Sequence, residues 1–164
     1  MTESQPKNAK TVESLTNVVE QLEEDVIFGR LRPRERLVEE DLVARFDVKR
    51  HIIRQALIEL ERMGIVVRQR GKGARVCDYS PSEVENLYAL REYLEGKAAS
   101  LLPLPADKEL IKELTAIHRV HAKAVKTGDL RNIFRSNVRF HQTLFASCGN
   151  AYLAEAINLY ATKA

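Results

Sequence analysis

Eight basic side chains stand between Lys49 and Arg75: Lys49, Arg50, Arg54, Arg62, Arg68, Arg70, Lys72 and Arg75. Two acidic ones, Glu59 and Glu61, oppose them, so the local balance is +6. Cations at this density neutralise phosphates, and the counterions they release drive binding that is steeply salt-dependent. Arginine also carries a fork that matches the O6 and N7 acceptors of guanine in the major groove. Lys49, Arg50, His51 and Arg54 crowd the first turn and a half of an expected helix. Cations at that end cost about 0.3–1 kcal/mol each against the helix dipole. Local rules broken in this way concentrate at functional sites. Arg50 and Arg54 are four apart and share a face, opposite the apolar stripe Ile53, Ala56, Leu57 and Leu60. In Arg70-Gly71-Lys72-Gly73 basic residues alternate with glycine. Glycine lets the backbone approach sugar and phosphate while the cations supply charge. Plainer readings exist: a solvated basic face and an ordinary glycine turn. A cationic helix beside a cationic hairpin nevertheless suits a duplex polyanion, and the expected partner is double-stranded DNA.

These residues need elements to hold them. Val12, Leu15, Val18, Val19, Leu22, Val26 and Ile27 recur at helical spacing and predict a first helix over about 11–28, ended by Gly29. The polar stretch 1–10 reads as a disordered leader, without the apolar core of a signal peptide. A short helix is expected over about 39–46, its first-turn acids suited to the positive end of the dipole. Asp47-Val48 is the turn into the basic helix, about 50–63, with Gly64 as its stop. Ile65-Val66-Val67 reads as a strand, Arg70 to Gly73 as a hairpin tip and Ala74 to Cys77 as the return strand. Three helices and a two-stranded wing make a winged helix-turn-helix over 11–77. Residues 78–81 form a linker, in which Ser80, Pro81 and Glu83 have the spacing of a helix start. From 82 to 164 the chain reads as an antiparallel helical bundle, with helices over about 81–102, 106–126, 130–148 and 151–162. The fold class is therefore mainly α.

Bulk properties agree. The 164 residues hold one domain or two small ones. A net charge of +3, with 45% hydrophobic and 30% charged residues, is ordinary for a globular chain. Residues 19–48 carry five Arg against nine acids, and this −4 segment directly precedes the +6 segment, a polarity that orients a molecule on a polyanion. Cys77 and Cys148 form no close-spaced metal pair and read as free thiols in a reducing cytoplasm. No apolar run nears the roughly 20 residues that span a bilayer.

Five segments resemble the N-terminal domain of GntR-family bacterial transcription regulators: Ile27 to Pro33, Leu37 to Ala44, Val48 to Leu57, Leu60 to Val66 and Arg70 to Ala74. The resemblance implies DNA contacts by Arg50, His51 and Arg54 on the helix and by Arg70 and Gly71 on the wing, where Lys72 adds charge. This chain also departs from the family. Arg34 stands where a glycine usually follows the proline, and Lys49 where a capping Ser or Thr is usual. Gln55 replaces Glu, and Glu40 occupies a position that is Arg in some relatives.

The second half, through Leu87 to Ala99, Gly128 to Leu130, Asn137 to Leu144 and Gly149 to Leu153, resembles the all-helical FCD effector domain of the FadR-like branch. That likeness implies a small-molecule effector and a divalent metal (Zn, Ni or Mn), for which Asn137 and His141, one turn apart, stand at the first two ligand positions. The family adds two histidines from later helices, which do not occur before Ala164, so the implied site is incomplete. The plainer reading makes His141 a core histidine bonded to Asn137. Arg91 and Glu95 form an i,i+4 pair, either a surface ion pair or, as the likeness implies, one that turns Arg91 towards an effector carboxylate. The apolar faces carrying Leu87, Leu90, Leu94, Ala98 and Leu101 require cover, which predicts a homodimer presenting two winged domains to a pseudo-palindromic operator. The expected function is a ligand-responsive regulator, more a repressor than an activator. Two other readings stay open: a winged module that contacts DNA or protein without sensing, and a small metal-assisted hydrolase using His141 with His118 or His121.

Overall fold

The computed structural model describes residues 7–69, 71–161 and 163, which fall into two compact units divided between Tyr79 and Ser80. In the first unit the order is α1 (Lys7–Ile27), β1 (Arg36–Leu37), α2 (Glu39–Phe46), α3 (Arg50–Arg62), β2 (Val66–Gln69) and β3 (Gly73–Val76). The first helix begins at Lys7, so residues 7–10 are helical rather than part of a leader; residues 1–6 lie outside the described residues.

The core of this unit follows the helical period of the sequence. Val18 and Leu22 of α1 meet Ile53, Ala56 and Leu60 of α3, all at 1% exposure or less. Ile52 and Leu57 extend the buried stripe, and Leu42 of α2 joins it, with Val43 and Phe46 packed alongside. Burying such side chains contributes about 1.5–3 kcal/mol each, which fixes α3 along one face and leaves the opposite face to solvent. At its end α3 closes in a Schellman arrangement. Gly64, at φ +77°, donates its N–H to the Glu61 carbonyl at 3.0 Å, and Ile65 donates to Leu60 at 2.9 Å.

The sheet corrects one expectation. It has three strands, ordered β1-β3-β2, where two were expected. Antiparallel β1 sets Arg36 opposite Arg75 and Leu37 opposite Ala74. Its two residues are too few to show an alternating pattern, and Pro33 three positions earlier makes the segment read as turn. Leu37, at 4% exposure, anchors it.

A buried carboxylate ties α1 to the helix-turn-helix. Asp25 meets Arg30 through Oδ1 and Arg45 of α2 through Oδ2, both at 2.5 Å. Burial pushes the Asp25 carboxyl up, but the two guanidinium groups outweigh it and hold the pKa below the usual carboxylate value of 3.8.

The second unit contains α4 (Pro81–Ser100), α5 (Lys108–Thr127), α6 (Leu130–Ala146) and α7 (Ala151–Ala161). Ser80 opens α4 with a capping box: its hydroxyl accepts from the Glu83 N–H, and the Glu83 carboxylate accepts from the Ser80 N–H at 2.8 Å. The helices do not all pack in chain order, since α4 meets α7 rather than the successive α5. α5 lies along α6, where His121 Nδ1 and the Ser136 hydroxyl are 3.1 Å apart. α4 lies against α7 around Ala98, Phe145, Cys148 and Ile157. Apolar residues surround α4 instead of gathering on one face: Ala98 is buried, while Tyr88, Leu90, Tyr93 and Leu101 are exposed. Among the described residues no helix is long and apolar enough to cross a membrane.

Candidate nucleic-acid interface

The turn between α2 and α3 sets the direction of the basic helix. Asp47 takes the left-handed conformation at φ +49°, and Lys49 is the N-cap of α3 in extended geometry, without a side-chain cap bond. A residue that cannot cap stands where Ser or Thr would satisfy the first orphan N–H groups. The Ile52 N–H bonds the Lys49 carbonyl at 2.9 Å, and the Arg50 and His51 amides stand beside the exposed Lys49, Arg50 and His51 side chains, an arrangement suited to a phosphate oxygen.

Arg50 and Arg54 lie on the solvent side, with side chains 52% and 59% exposed. Neither is bare. Arg50 donates through Nη2 to Glu40 at 2.8 Å, and Arg54 donates through Nε to the two Glu39 oxygens at 3.3 and 3.0 Å. Both carboxylates belong to the first turn of α2. Further along, Arg62 pairs with Glu59 and Arg68 with Glu61. The side chains of Lys49, His51 and Lys72 have no hydrogen bond or ion pair among the described residues.

The wing turns tightly beyond Gln69, whose carbonyl accepts from the Lys72 N–H at 3.0 Å. Gly71 at φ +75° and Gly73 at φ +81° hold conformations that other residues enter only with strain. Gly71 and Lys72 are exposed; Arg70, expected beside them, lies outside the described residues. The groove between α3 and the wing is lined by Leu57, Glu61, Arg68 and Gly71 among others. Sequence reasoning missed Arg36 as part of the wing, on the solvent face of the sheet that points away from the core. Strand β1 sets it directly across from Arg75, both exposed, and its Nε lies 4.0 Å from where a Cβ on Gly73 would sit. Like charges directly opposite on one sheet face repel. The signal was available only through the pairing, which sequence did not reveal.

In the second unit a cavity of about 220 Å³ is lined by Arg91, Glu95, Asn137, His141, Gln142 and Asn158, among others. Arg91 donates through Nε to Glu95 at 3.0 Å, with side chains 23% and 29% exposed, so the pair exists and also borders the cavity. The His141 ring stacks on Phe145 and meets Phe140 edge-on, each at 5.9 Å. Among the described residues no hydrogen bond joins His141 to Asn137, and both are exposed, so His141 is not a core histidine. His118 and His121 do not line the cavity. A divalent ion needs three or four donors. Asn137 and His141 supply two, and Glu95 is engaged by Arg91. Among the described residues no three His, Cys, Asp or Glu gather as ligands. The donor set present does not fit a metal.

Residues 15–76 match the gntR family of bacterial regulatory proteins, and residues 86–164 match the FCD domain. The chain belongs to the gntR family. The uncharacterized HTH-type transcriptional regulator YdhC of Bacillus subtilis is 30% identical, over 81% of this chain and 60% of that protein. The HTH-type transcriptional repressor GlaR of Escherichia coli is also 30% identical, over 82% of this chain and 63% of that protein. The chain thus spans about 60% of the length of these relatives. Among solved structures, E. coli McbR/YncC superposes with a TM-score of 0.75 at 20% identity, over 93% of this chain and 70% of that one, which supports the fold. In this gntR-family chain the positions singled out from sequence thus separate into two groups. Lys49 to Arg54 with Gly71 and Lys72 belong to the winged unit; Arg91, Asn137 and His141 gather at the cavity of the helical unit.

Proposed function

We propose that the chain is a ligand-responsive transcription regulator that binds a pseudo-palindromic operator as a homodimer and acts as a repressor. Residues 11–77 form the DNA-binding domain, 78–81 the linker and 82–164 the effector-binding and dimerisation domain. The observation that carries this reading is the exposed face of α3, where Lys49, Arg50, His51 and Arg54 project opposite a fully buried stripe, within the same unit as the glycine-tipped wing. Arg50 and Arg54 take base edges; Lys49, Arg70 and Lys72 take phosphates, and Gly71 permits close backbone approach. The repressor names of GlaR and of the gluconate operon transcriptional repressor of Bacillus licheniformis support the sign of regulation. A DNA-bound role places the chain in the cytoplasm.

The effector is a small carboxylate held by Arg91, with Asn137 and His141 as polar contacts; a volume of about 220 Å³ lies below the usual range for drug-sized ligands. Occupancy changes the placement of the winged domains and hence operator affinity. The test is DNA binding by an Arg50→Ala, Arg54→Ala double variant at fixed salt. Specific binding should fall by at least about tenfold, since each bidentate base contact is worth about 1–3 kcal/mol. Unchanged specific binding would overturn the proposal.

A further inference from the structure

Two carboxylates stand where a surface built only to attract phosphate would exclude them. Glu39 and Glu40 project from the first turn of α2 onto Arg54 and Arg50 of α3. The charges of these four side chains cancel. The favourable dipole explains why acids sit at the start of α2, but it does not require them to reach across to the next helix. Nor does stability explain the contact, because an ion pair with side chains 52% and 64% exposed contributes little.

The geometry leaves each arginine with donors to spare. Arg50 uses one terminal N–H and retains the others. Arg54 is held through Nε, which leaves both terminal amino groups, the edge that matches guanine O6 and N7. Glu40 gives Arg50 one oxygen and keeps acceptor capacity on the other. A phosphate approaching Arg50 meets that negative charge at close range. A G·C pair meets no such opposition: guanine supplies acceptors for Arg50, and the cytosine amino group supplies a donor for Glu40.

We propose that Glu40 is a specificity-determining residue, which withholds Arg50 from arbitrary phosphates and reserves it for a G·C pair. This inference rests on the DNA-binding reading above and adds to it a residue of the wrong sign for DNA. The experiment compares Glu40→Gln with the parent protein on two duplexes of about 30 base pairs, long enough for two half-sites. One is selected by the parent protein from a randomised pool; the other has mixed sequence. Anisotropy titrations at several salt concentrations give both affinities and their salt slopes. Glu40 is exposed, so the substitution leaves folding intact. Glu40→Gln should bind the mixed duplex more tightly and lower the ratio of selected to mixed affinity by at least about fivefold. Its slope on the mixed duplex should steepen by about 0.9, one further phosphate neutralised. An unchanged ratio and slope, or equal weakening on both duplexes, would overturn the inference alone. A parent protein that selects no duplex would overturn the DNA-binding reading and this inference together.

Discussion

Lys49 and Arg50 are adjacent in sequence and are expected to behave differently on DNA. Lys49 is an exposed point charge with no partner among the described residues, so Lys49→Ala should weaken all duplexes alike and reduce the salt slope by about 0.9. Arg50 is oriented by Glu40 at 2.8 Å, so its loss should fall mainly on the selected duplex. Titrations on both duplexes separate the two. The basic cluster was legible because its residue types break a helix rule. The carboxylates that hold it were not, because pairing between residues 10 and 15 apart depends on how α2 crosses α3. Asp25 was also illegible, as one of several acids in a polar stretch. Its folded pKa lies below the unfolded value of 3.8. The stability it supplies is therefore complete above about pH 4 and is lost as pH falls through the lower folded value. Asp25→Asn should cost about 2 kcal/mol near neutral pH, the modest side for a buried pair because Arg30 and Arg45 stay 54% and 44% exposed. It should also flatten the acid limb of a urea-stability profile; an unchanged limb would contradict this role.

At the scale of elements, the helices follow from periodicity and the sheet does not. α2 runs from Glu39 to Phe46 as the apolar spacing predicts, and α3 stops at Gly64 for a stated reason. Gly64→Ala forces a side chain into the left-handed region at φ +77° and should lower the melting stability of the winged unit by about 1 kcal/mol, with α3 fraying at its end. An equally stable variant would show that the Schellman closure is dispensable. Arg34, where the family usually has glycine, sits at φ +66°, so the family preference has a backbone cause that this chain overrides. Its guanidinium pairs with Asp78 at 2.5 Å. The strand β1 escaped sequence reading because its partner is some 40 residues away, and only the Arg36–Arg75 register reveals it. The wing is consequently broader and more cationic than a two-stranded hairpin.

At the scale of the molecule, the helical unit leaves apolar area in solvent on α4, with Tyr93 at 73% and Leu90 at 39% exposure. Cover by a second copy is the expected state. Tyr93→Glu should shift the sedimentation profile from dimer towards monomer and weaken binding to a two-half-site duplex more than to a single half-site. A parent protein that sediments as a monomer at micromolar concentration would contradict the dimer. The division into winged and helical halves was readable from the switch in pattern near Ser80; periodicity did not show the cavity in the second half, because its lining comes from three helices, and only the family likeness pointed to Arg91, Asn137 and His141 there. The central claim is that α3 and the wing together meet DNA. Amide chemical shifts followed during titration with the selected duplex test it most directly. The prediction is that perturbations concentrate at residues 49–54 and 71–73 and fade with added salt. Perturbations confined to the helical unit, or none at saturating duplex, would contradict it.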